Sequence, residues 1–173
     1  MSRQGYLRAF SPGPRLMRWM MNSWSPFRGA GIKVIEIAKD YRRVRVELRM
    51  KLLNRNYMGT HFGGSLFSMT DPFYVIMLSQ ILGRDYIIWD KAASIRFRAP
   101  GTGTVGAEFE VTQAMIDEIK SHTETGDKYE PTYPVEVKDA TGKLIAVVEK
   151  TLHVRRADLA ANAAPIAAAK AVG

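Results

Sequence analysis

The 173-residue chain contains no cysteine and only three histidines, His61, His122 and His153, which lie far apart in the sequence. The absence of cysteine excludes disulfides, thiolate zinc sites, iron–sulfur clusters and a cysteine nucleophile. The spacing of the histidines leaves no local metal-binding motif, so we predict no metal site. All apolar runs are shorter than a membrane span, and prolines interrupt the N-terminus where a signal peptide needs an apolar run. We therefore expect a cytoplasmic protein without a membrane span.

Positive charge is concentrated in the first third of the chain. The net charge is +8, and residues 1–51 contain 12 Lys/Arg against 3 Asp/Glu, whereas residues 52–173 contain 13 against 14. A basic front end suits nucleic acid, anionic lipid or a phosphate-rich small molecule, or else it is a solvated basic surface. The basic strand face lacks interleaved aromatics, and no helix-turn-helix or RNA-binding motif is present. We therefore do not expect nucleic acid as a partner.

The order of the predicted elements indicates an α+β fold. Residues 11–27 predict a short helix that packs on the core or on a partner subunit, although a membrane-surface helix has a similar pattern. Strict alternation over residues 41–52 predicts a strand, and further strands are predicted at 32–38, 86–98, 104–113, 132–138 and 143–155. Apolar residues from Phe62 to Leu82 predict one long buried helix, and residues 114–127 predict a small amphipathic one. The expected arrangement is one sheet curved around one long helix. The apolar face of the first helix is predicted to contain Leu16, Met17, Met20, Met21 and Trp24.

Residues 54–72, NRNYMGTHFGGSLFSMTDP, combine a polar turn, a glycine pair and a lone carboxylate. Gly63 and Gly64 lie at the predicted start of the buried helix, where backbone N–H groups are free and a ligand can approach closely. Such donors would hold a carbonyl oxygen as it gains negative charge. Asp71 lies two helical turns after Gly64, on the same face as Ser68, and a carboxylate is costly to desolvate there without partners. Pro72 is expected to bend the helix at this point.

Each of these residues also has a purely structural explanation. Asp71 followed by Pro72 is a good N-cap pair for a new helix, and local chemistry does not decide between cap and catalyst. Tight packing of the helix on the sheet explains the glycine pair equally well. Asn56 is typical of a turn, and His61 is typical of a surface loop.

The segment Asn56–Gly64, followed by Asp71, resembles the N-x-x-G-x-x-(F/H)-G-G-x6-D signature of hotdog-fold thioesterases. Similar signatures occur in phenylacetate-type thioesterases and in short- and medium-chain acyl-CoA thioesterases. The resemblance implies a hotdog fold, a curved antiparallel sheet around one long helix. It also implies a homo-oligomer, a dimer or a dimer of dimers, with active sites at the subunit interface. On this basis we predict an N-terminal helical segment (1–29), a hotdog domain (30–156) and a flexible Ala-rich tail (157–173).

The resemblance implies hydrolysis of an acyl-CoA-like thioester, with coenzyme A as part of the substrate and no separate cofactor. Asp71 would act as general base or nucleophile, and a backbone N–H near Gly63 and Gly64 would polarise the carbonyl. Asn56 would help to position the water or the carbonyl. The predicted substrate-binding residues, the last two of them for the coenzyme A phosphates, are His61, Ser68, Arg96 and Arg98.

Two positions depart from the family pattern. Asn54 stands where one branch of the family has a catalytic acid, and Phe62 stands where the phenylacetate-type branch has a histidine. Any hydrolysis therefore depends on Asp71. The alternative from another class is a non-catalytic hotdog module that binds acyl-CoA. A hotdog dehydratase or hydratase is a further alternative, which the His61-Phe62 pair resembles without the prolines and the acid that follow in that branch.

Overall fold

The computed structural model describes residues 11–160 of the chain. The predictions for residues 1–10 and for most of the Ala-rich tail lie outside the described residues. The strands are β1 (Ile32–Ile37), β2 (Arg43–Arg49), β3 (Tyr86–Phe97), β4 (Thr104–Glu110), β5 (Thr132–Asp139) and β6 (Leu144–Arg156). The helices are α1 (Pro14–Ser23), α2 (Ser25–Ala30), α3 (Gly63–Ser68), α4 (Phe73–Leu82), α5 (Gln113–His122) and α6 (Ala157–Ala160), with a 3₁₀ turn at Gly83–Asp85. All six strands form one antiparallel sheet in the spatial order β1-β2-β4-β5-β6-β3, which confirms the predicted α+β class.

The alternating sequence of the second strand corresponds to an alternation of burial. Val44, Val46 and Leu48 of β2 are buried, while the arginines at both ends and between the first two valines are exposed. Met50 and Leu52 were predicted on the same inward face, but they follow the end of the strand, and Leu52 is exposed. The chain has left the sheet for a turn by that point, so strand alternation no longer decides which side chains are buried.

The helices α3 and α4 supply the core that the curved sheet covers. Their buried side chains belong to one cluster with the inward residues of the strands. A chain of aromatic contacts runs through this core from α2 to β5, with ring centroids 5.0–6.0 Å apart. Such contacts stabilise a fold beyond the burial of area alone. The rings follow one another in the order Phe27, Phe73, Phe109, Tyr74 and Tyr133.

The prediction of one uninterrupted helix over residues 62–82 is wrong. Helical structure stops at Ser68 and starts again at Phe73. Pro72 has no N–H to donate and cannot continue the helical ladder. In the gap, the N–H of Asp71 donates to the Ser68 carbonyl at 3.3 Å. This bond spans three residues instead of the four of an α-helix. The bend expected at Pro72 is therefore a full interruption, and Asp71 lies in it.

The helix α1 covers the outer edge of the sheet. Asn22 Nδ2 donates to the Val34 carbonyl at 3.0 Å, and the Val34 N–H donates to Asn22 Oδ1 at 2.8 Å. Arg18 Nη1 donates to the carbonyl of Ile35 at 3.0 Å. These side chains satisfy backbone groups of the edge strand β1 that would otherwise be open to pairing with another chain.

The apolar face predicted for residues 11–27 is divided by this packing. Met17 and Met21 are half-buried, and Met21 packs on the core. Leu16, Met20 and Trp24 are exposed. Of the five predicted residues, packing on the core therefore accounts for Met21. No helix within residues 11–160 is long and apolar enough to cross a membrane.

Candidate functional site

Asp71 lies in the gap between α3 and α4, and its side chain is 55% exposed. Its Oδ1 accepts a hydrogen bond from Nζ of Lys150 at 3.0 Å. The helix α4 begins at Phe73 without a side-chain cap, so the explanation of Asp71 as an N-cap is wrong. Within the described part of the chain, Oδ2 of Asp71 has no hydrogen-bond or ion-pair partner. One oxygen is anchored, and the other is open to water or a ligand.

Lys150 is the main residue that the sequence analysis missed. Along β6 the inward positions Ala146, Val148, Leu152 and Val154 are buried, and Lys150 lies in the middle of this series with a side chain only 1% exposed. A buried ammonium is costly unless it is paired. The signal was present in the sequence, because a lysine occupied a core-facing position in an alternating strand.

Asp90 is a second carboxylate at the same ammonium. It lies on β3, and its Oδ1 is 2.9 Å from Nζ of Lys150, although that oxygen is buried without an aligned hydrogen bond. Burial raises the pKa of Asp90; Lys150 opposes this shift, and the nearby Asp71 adds to it. The ring of Phe67 lies 5.9 Å from Nζ. Lys150 is therefore enclosed by two carboxylates and an aromatic ring.

The cluster of Asp71, Lys150 and Asp90 is compatible with a catalytic role and with a structural role. A carboxylate that is fixed through one oxygen and open through the other can act as a general base or a nucleophile. The same arrangement also serves as a buried ion pair between the helix gap and the sheet. Among residues 11–160, no group of three or more histidine or acidic side chains is arranged to hold a metal ion.

Gly63 and Gly64 are the first two residues of α3, as predicted. The N–H groups of Ser65 and Leu66 bond back to the Phe62 carbonyl at 2.9 and 3.2 Å. The N–H groups of the two glycines have no acceptor in the part of the chain that the structure describes. They are therefore available as donors, as the first N–H groups of a helix usually are.

Close packing also applies to the glycine pair. A Cβ on Gly63 would lie 2.9 Å from Cζ of Phe97 on β3, and a Cβ on Gly64 would lie 2.4 Å from Cε1 of Phe62. Both neighbours are the tips of exposed rings rather than backbone atoms. Helix-on-sheet packing therefore contributes at Gly63, but each ring has room to turn away.

Asn56 holds the loop that leads into α3. Its Nδ2 donates to Oγ1 of Thr60 at 2.9 Å and to the His61 carbonyl at 3.2 Å, and its Oδ1 accepts from the Thr60 N–H at 3.0 Å. These local contacts show that Asn56 stabilises the turn. The further role predicted for Asn56, to position water or the carbonyl, stays a prediction.

His61 is buried, so its interpretation as a surface-loop histidine is wrong. Its backbone N–H donates to the Gly101 carbonyl at 2.9 Å, and Nε2 lies 3.1 Å from the Gly103 carbonyl. Burial lowers the pKa of His61, and the hydrogen bond to Gly103 partly opposes this. His61 thus joins the loop before α3 to the β3–β4 loop, and its predicted contact with substrate stays a prediction.

Of the other predicted substrate-binding residues, Ser68 contacts the glycine pair, and Arg96 and Arg98 lie at the end of β3. Ser68 Oγ donates to the Gly64 carbonyl at 2.8 Å. Arg96 and Arg98 flank Phe97 at the end of β3, and both are exposed. Because side chains alternate along a strand, Arg96 lies on the face opposite Phe97. The structure therefore brings Phe97 to the glycines, whereas Arg96 is directed away from them.

A curved six-stranded antiparallel sheet around a central helical segment is the hotdog fold. The chain resembles hotdog-fold thioesterases of known structure. It matches the family described as "Domain of unknown function (DUF4442)" over residues 13–154, and it belongs to that family. No curated protein sequence matches the chain.

Three solved structures illustrate the likeness. PA5026 from Pseudomonas aeruginosa, described as a protein of unknown function and probable thioesterase, has 18% identity and a TM-score of 0.71, covering 82% of this chain and 95% of that chain. The thioesterase HI1161 from Haemophilus influenzae has 12% identity and a TM-score of 0.61, covering 85% and 93%. The E. coli PaaI protein from the phenylacetic acid degradation operon has 18% identity and a TM-score of 0.56, covering 90% and 94%. At these identities the likeness establishes the fold alone.

Proposed function

We propose that the protein hydrolyses an acyl-CoA-like thioester. The observation that carries the proposal is the carboxylate of Asp71, which is anchored through Oδ1 by the buried Lys150 and open through Oδ2. The free N–H groups of Gly63 and Gly64 at the start of the preceding helix support it. The thioesterase names of the similar proteins from P. aeruginosa and H. influenzae support it as well.

In the proposed reaction, the N–H groups of Gly63 and Gly64 donate to the thioester carbonyl oxygen. Asp71 removes a proton from a water molecule while the water oxygen bonds to the carbonyl carbon, and the negative charge on the carbonyl oxygen is held by the backbone donors. Collapse of this intermediate breaks the carbon–sulfur bond. The thiolate leaves and takes up the proton, which yields a carboxylic acid and the free thiol of coenzyme A.

The distance between the glycine pair and Asp71 limits the roles that Asp71 can have. Asp71 follows Gly64 by seven residues, which corresponds to a rise of about 10 Å along a helix. A carbonyl held at the glycines is therefore too far for direct attack by the Asp71 of the same chain, and it also lies beyond one bridging water, which spans roughly 6 Å. This favours the Asp71 of a second copy, as general base or nucleophile, over the Asp71 of the same chain.

A second copy has an available place on the sheet. Among the described strands, β3 pairs only with β6, so its outer edge is unpaired. This edge strand carries Asp90 in its first half and, at its end, Phe97, which lies against Gly63. Pairing of two copies along β3 would form the dimer that the resemblance implies and would place both sites at its interface. Arg96 and Arg98 would then be near enough to the interface to meet the coenzyme A phosphates.

A second candidate function is acyl-CoA binding without hydrolysis. The observation in its favour is the ion pair itself, because a carboxylate held by a buried lysine also has a structural use. In this case Asp71 would stabilise the helix gap, and the glycine pair would still bind the carbonyl.

A thiol-release assay on a panel of short, medium and long acyl-CoA substrates separates the two functions. The protein contains no cysteine, so a thiol-reactive dye would report only released coenzyme A. We expect turnover by the parent protein. Asp71→Asn should lower the rate roughly 100-fold or more, as is typical for loss of a general base.

The matched control is Asp117→Asn, on the exposed outer side of α5, where the carboxylate accepts a hydrogen bond from Gln113. This variant should hydrolyse as fast as the parent. Equal rates for Asp71→Asn and the parent would remove Asp71 from the mechanism. Tight binding of coenzyme A thioesters without turnover of any would instead establish the binding module.

A further inference from the structure

The helix α1 presents an apolar surface that faces away from the rest of the protein. Leu16, Trp19 and Met20 have the i, i+3, i+4 spacing of one helix face, and Trp24 follows one turn later. Trp19 is 66% exposed and Trp24 is 50% exposed. The opposite side of the helix is already packed on the edge of β1. We refer to these four residues as the outer face of α1.

The surroundings of the outer face are predominantly positive, and Glu36, which shares a surface cleft with Leu16, is paired with Arg43 and Arg45. Residues 1–35 contain six Lys/Arg and no Asp/Glu. A cleft of about 660 Å³ begins at the end of α1 and continues to the end of β2. No acidic residue lines it, and in the described part of the chain only one of its four cations, Arg49, has an ion-pair partner. The basic residues of this cleft are Arg28, Lys33, Arg49 and Lys51.

We propose that the outer face of α1 docks the protein on an anionic lipid bilayer, with the cations of the cleft against lipid phosphates. Trp, Leu and Met side chains on one face of a basic helix suit the boundary between headgroups and acyl chains. The ten-residue helix is too short to span a bilayer and would lie in the interface plane. The proposal is independent of the hydrolysis proposed above.

Charge decides between a membrane and the other occupants of such a surface. A second copy of this chain would bring two predominantly positive surfaces together, which like-charge repulsion opposes. A nucleic acid would pair with the cations but would leave Leu16 and Met20 without an apolar partner. An anionic bilayer provides both the negative charge and the apolar layer.

Vesicle binding of the full-length protein tests the proposal. Trp89, the third tryptophan, is replaced by phenylalanine so that the fluorescence reports only Trp19 and Trp24. Unilamellar vesicles of phosphatidylcholine with about 30% phosphatidylglycerol are compared with vesicles of phosphatidylcholine alone, at low and high salt. We expect a blue shift of the emission and at least tenfold tighter binding to the anionic vesicles, with loss of this preference at high salt.

Two variants separate the apolar and the charged contributions. Trp19→Ser should weaken binding to the anionic vesicles several-fold, whereas Leu53→Ser, at an almost fully exposed residue outside the surface, should leave it unchanged. Arg28→Ala, in the cleft, should weaken it about fivefold, whereas Lys120→Ala on α5 should have no effect. Sedimentation analysis of Trp19→Ser in the absence of lipid reports whether the oligomeric state depends on this face.

Three results would overturn the proposal. The first is an absence of binding to anionic vesicles, and the second is binding that Trp19→Ser leaves unchanged. The third is a change of oligomeric state in Trp19→Ser together with absence of vesicle binding by the parent, which would assign the outer face to contact between copies. Binding of an oligonucleotide without binding of vesicles would likewise count against the membrane.

Discussion

Replacing Lys150 by methionine would remove the charge at the centre of the cluster and keep most of the side-chain volume. Nζ lies 3.0 Å from Oδ1 of Asp71 and 2.9 Å from Oδ1 of Asp90. At an effective dielectric constant of about 20, one such contact corresponds to about 5.5 kcal/mol of Coulomb attraction. The desolvation of a buried ammonium, which costs several kcal/mol, offsets much of this. Because Asp71 is half-exposed and screened, we expect a net loss of about 2–4 kcal/mol in the free energy of unfolding at pH 7.

The stability deficit of Lys150→Met should depend on pH. Burial already raises the pKa of Asp90 above its usual value of 3.8, and Lys150 opposes that shift. Without the lysine, the folded-state pKa of Asp90 rises further, so the folded variant binds this proton more tightly than the unfolded chain does. Its stability is then lost as the pH rises through the folded-state pKa and regained as the pH falls. The deficit relative to the parent should therefore shrink between pH 7 and about pH 4.

Urea unfolding at several pH values measures this deficit, and a double-mutant cycle assigns it. Asp90→Asn removes the carboxylate that is left without a cation, so Lys150→Met combined with Asp90→Asn should be more stable than the sum of the single effects predicts, by about 1 kcal/mol or more. If Lys150→Met were as stable as the parent at every pH, and additive with Asp90→Asn, the ion cluster would not contribute as we reason.

The remaining predictions concern the glycine pair, the covered edge and the buried histidine. In Gly64→Ala the new Cβ meets the edge of the exposed Phe62 ring. If the ring turns aside, the gain in helix propensity should keep the change in the free energy of unfolding below about 1 kcal/mol, while thioester hydrolysis falls. A large loss of stability in denaturant unfolding would show that packing requires the glycine. Asn22→Ala leaves the Val34 N–H and carbonyl without partners and should cost about 1–3 kcal/mol in urea unfolding. Burial lowers the pKa of His61 from 6.5, so the free energy of unfolding of the parent should fall as the pH drops below about 6.5. His61→Gln should reduce this dependence of stability on pH. An identical pH profile for the variant would show that His61 is not its source.

Strand positions were predicted well because burial on one side of a sheet leaves a period of two in the sequence. The same alternation in β6 also pointed to a buried lysine, which the prediction overlooked. Lys150 occupies an inward position between Val148 and Leu152, and a lysine there indicates a buried cation in need of an anion. Which anion it meets was beyond reach, because Asp71 lies 79 residues away in the sequence.

The interruption at Pro72 shows a different limit. The missing N–H of proline is a local property, so the place of the disturbance was predictable. Whether the helix bends or stops depends on what the freed residues contact. Here Asp71 pairs with Lys150 of β6 instead of capping α4, and a contact between distant segments leaves no local signal.

The sequence by itself determined the class of fold, the order of the strands along the chain and the segment that contains the glycine pair and Asp71. Each of these follows from local periodicity or from the backbone chemistry of glycine and proline. Only the tertiary structure decided that Asp71 meets Lys150 and Asp90, that His61 is buried, and that the outer face of α1 is exposed. These features depend on which segments lie side by side, and that is set by the packing of the whole core.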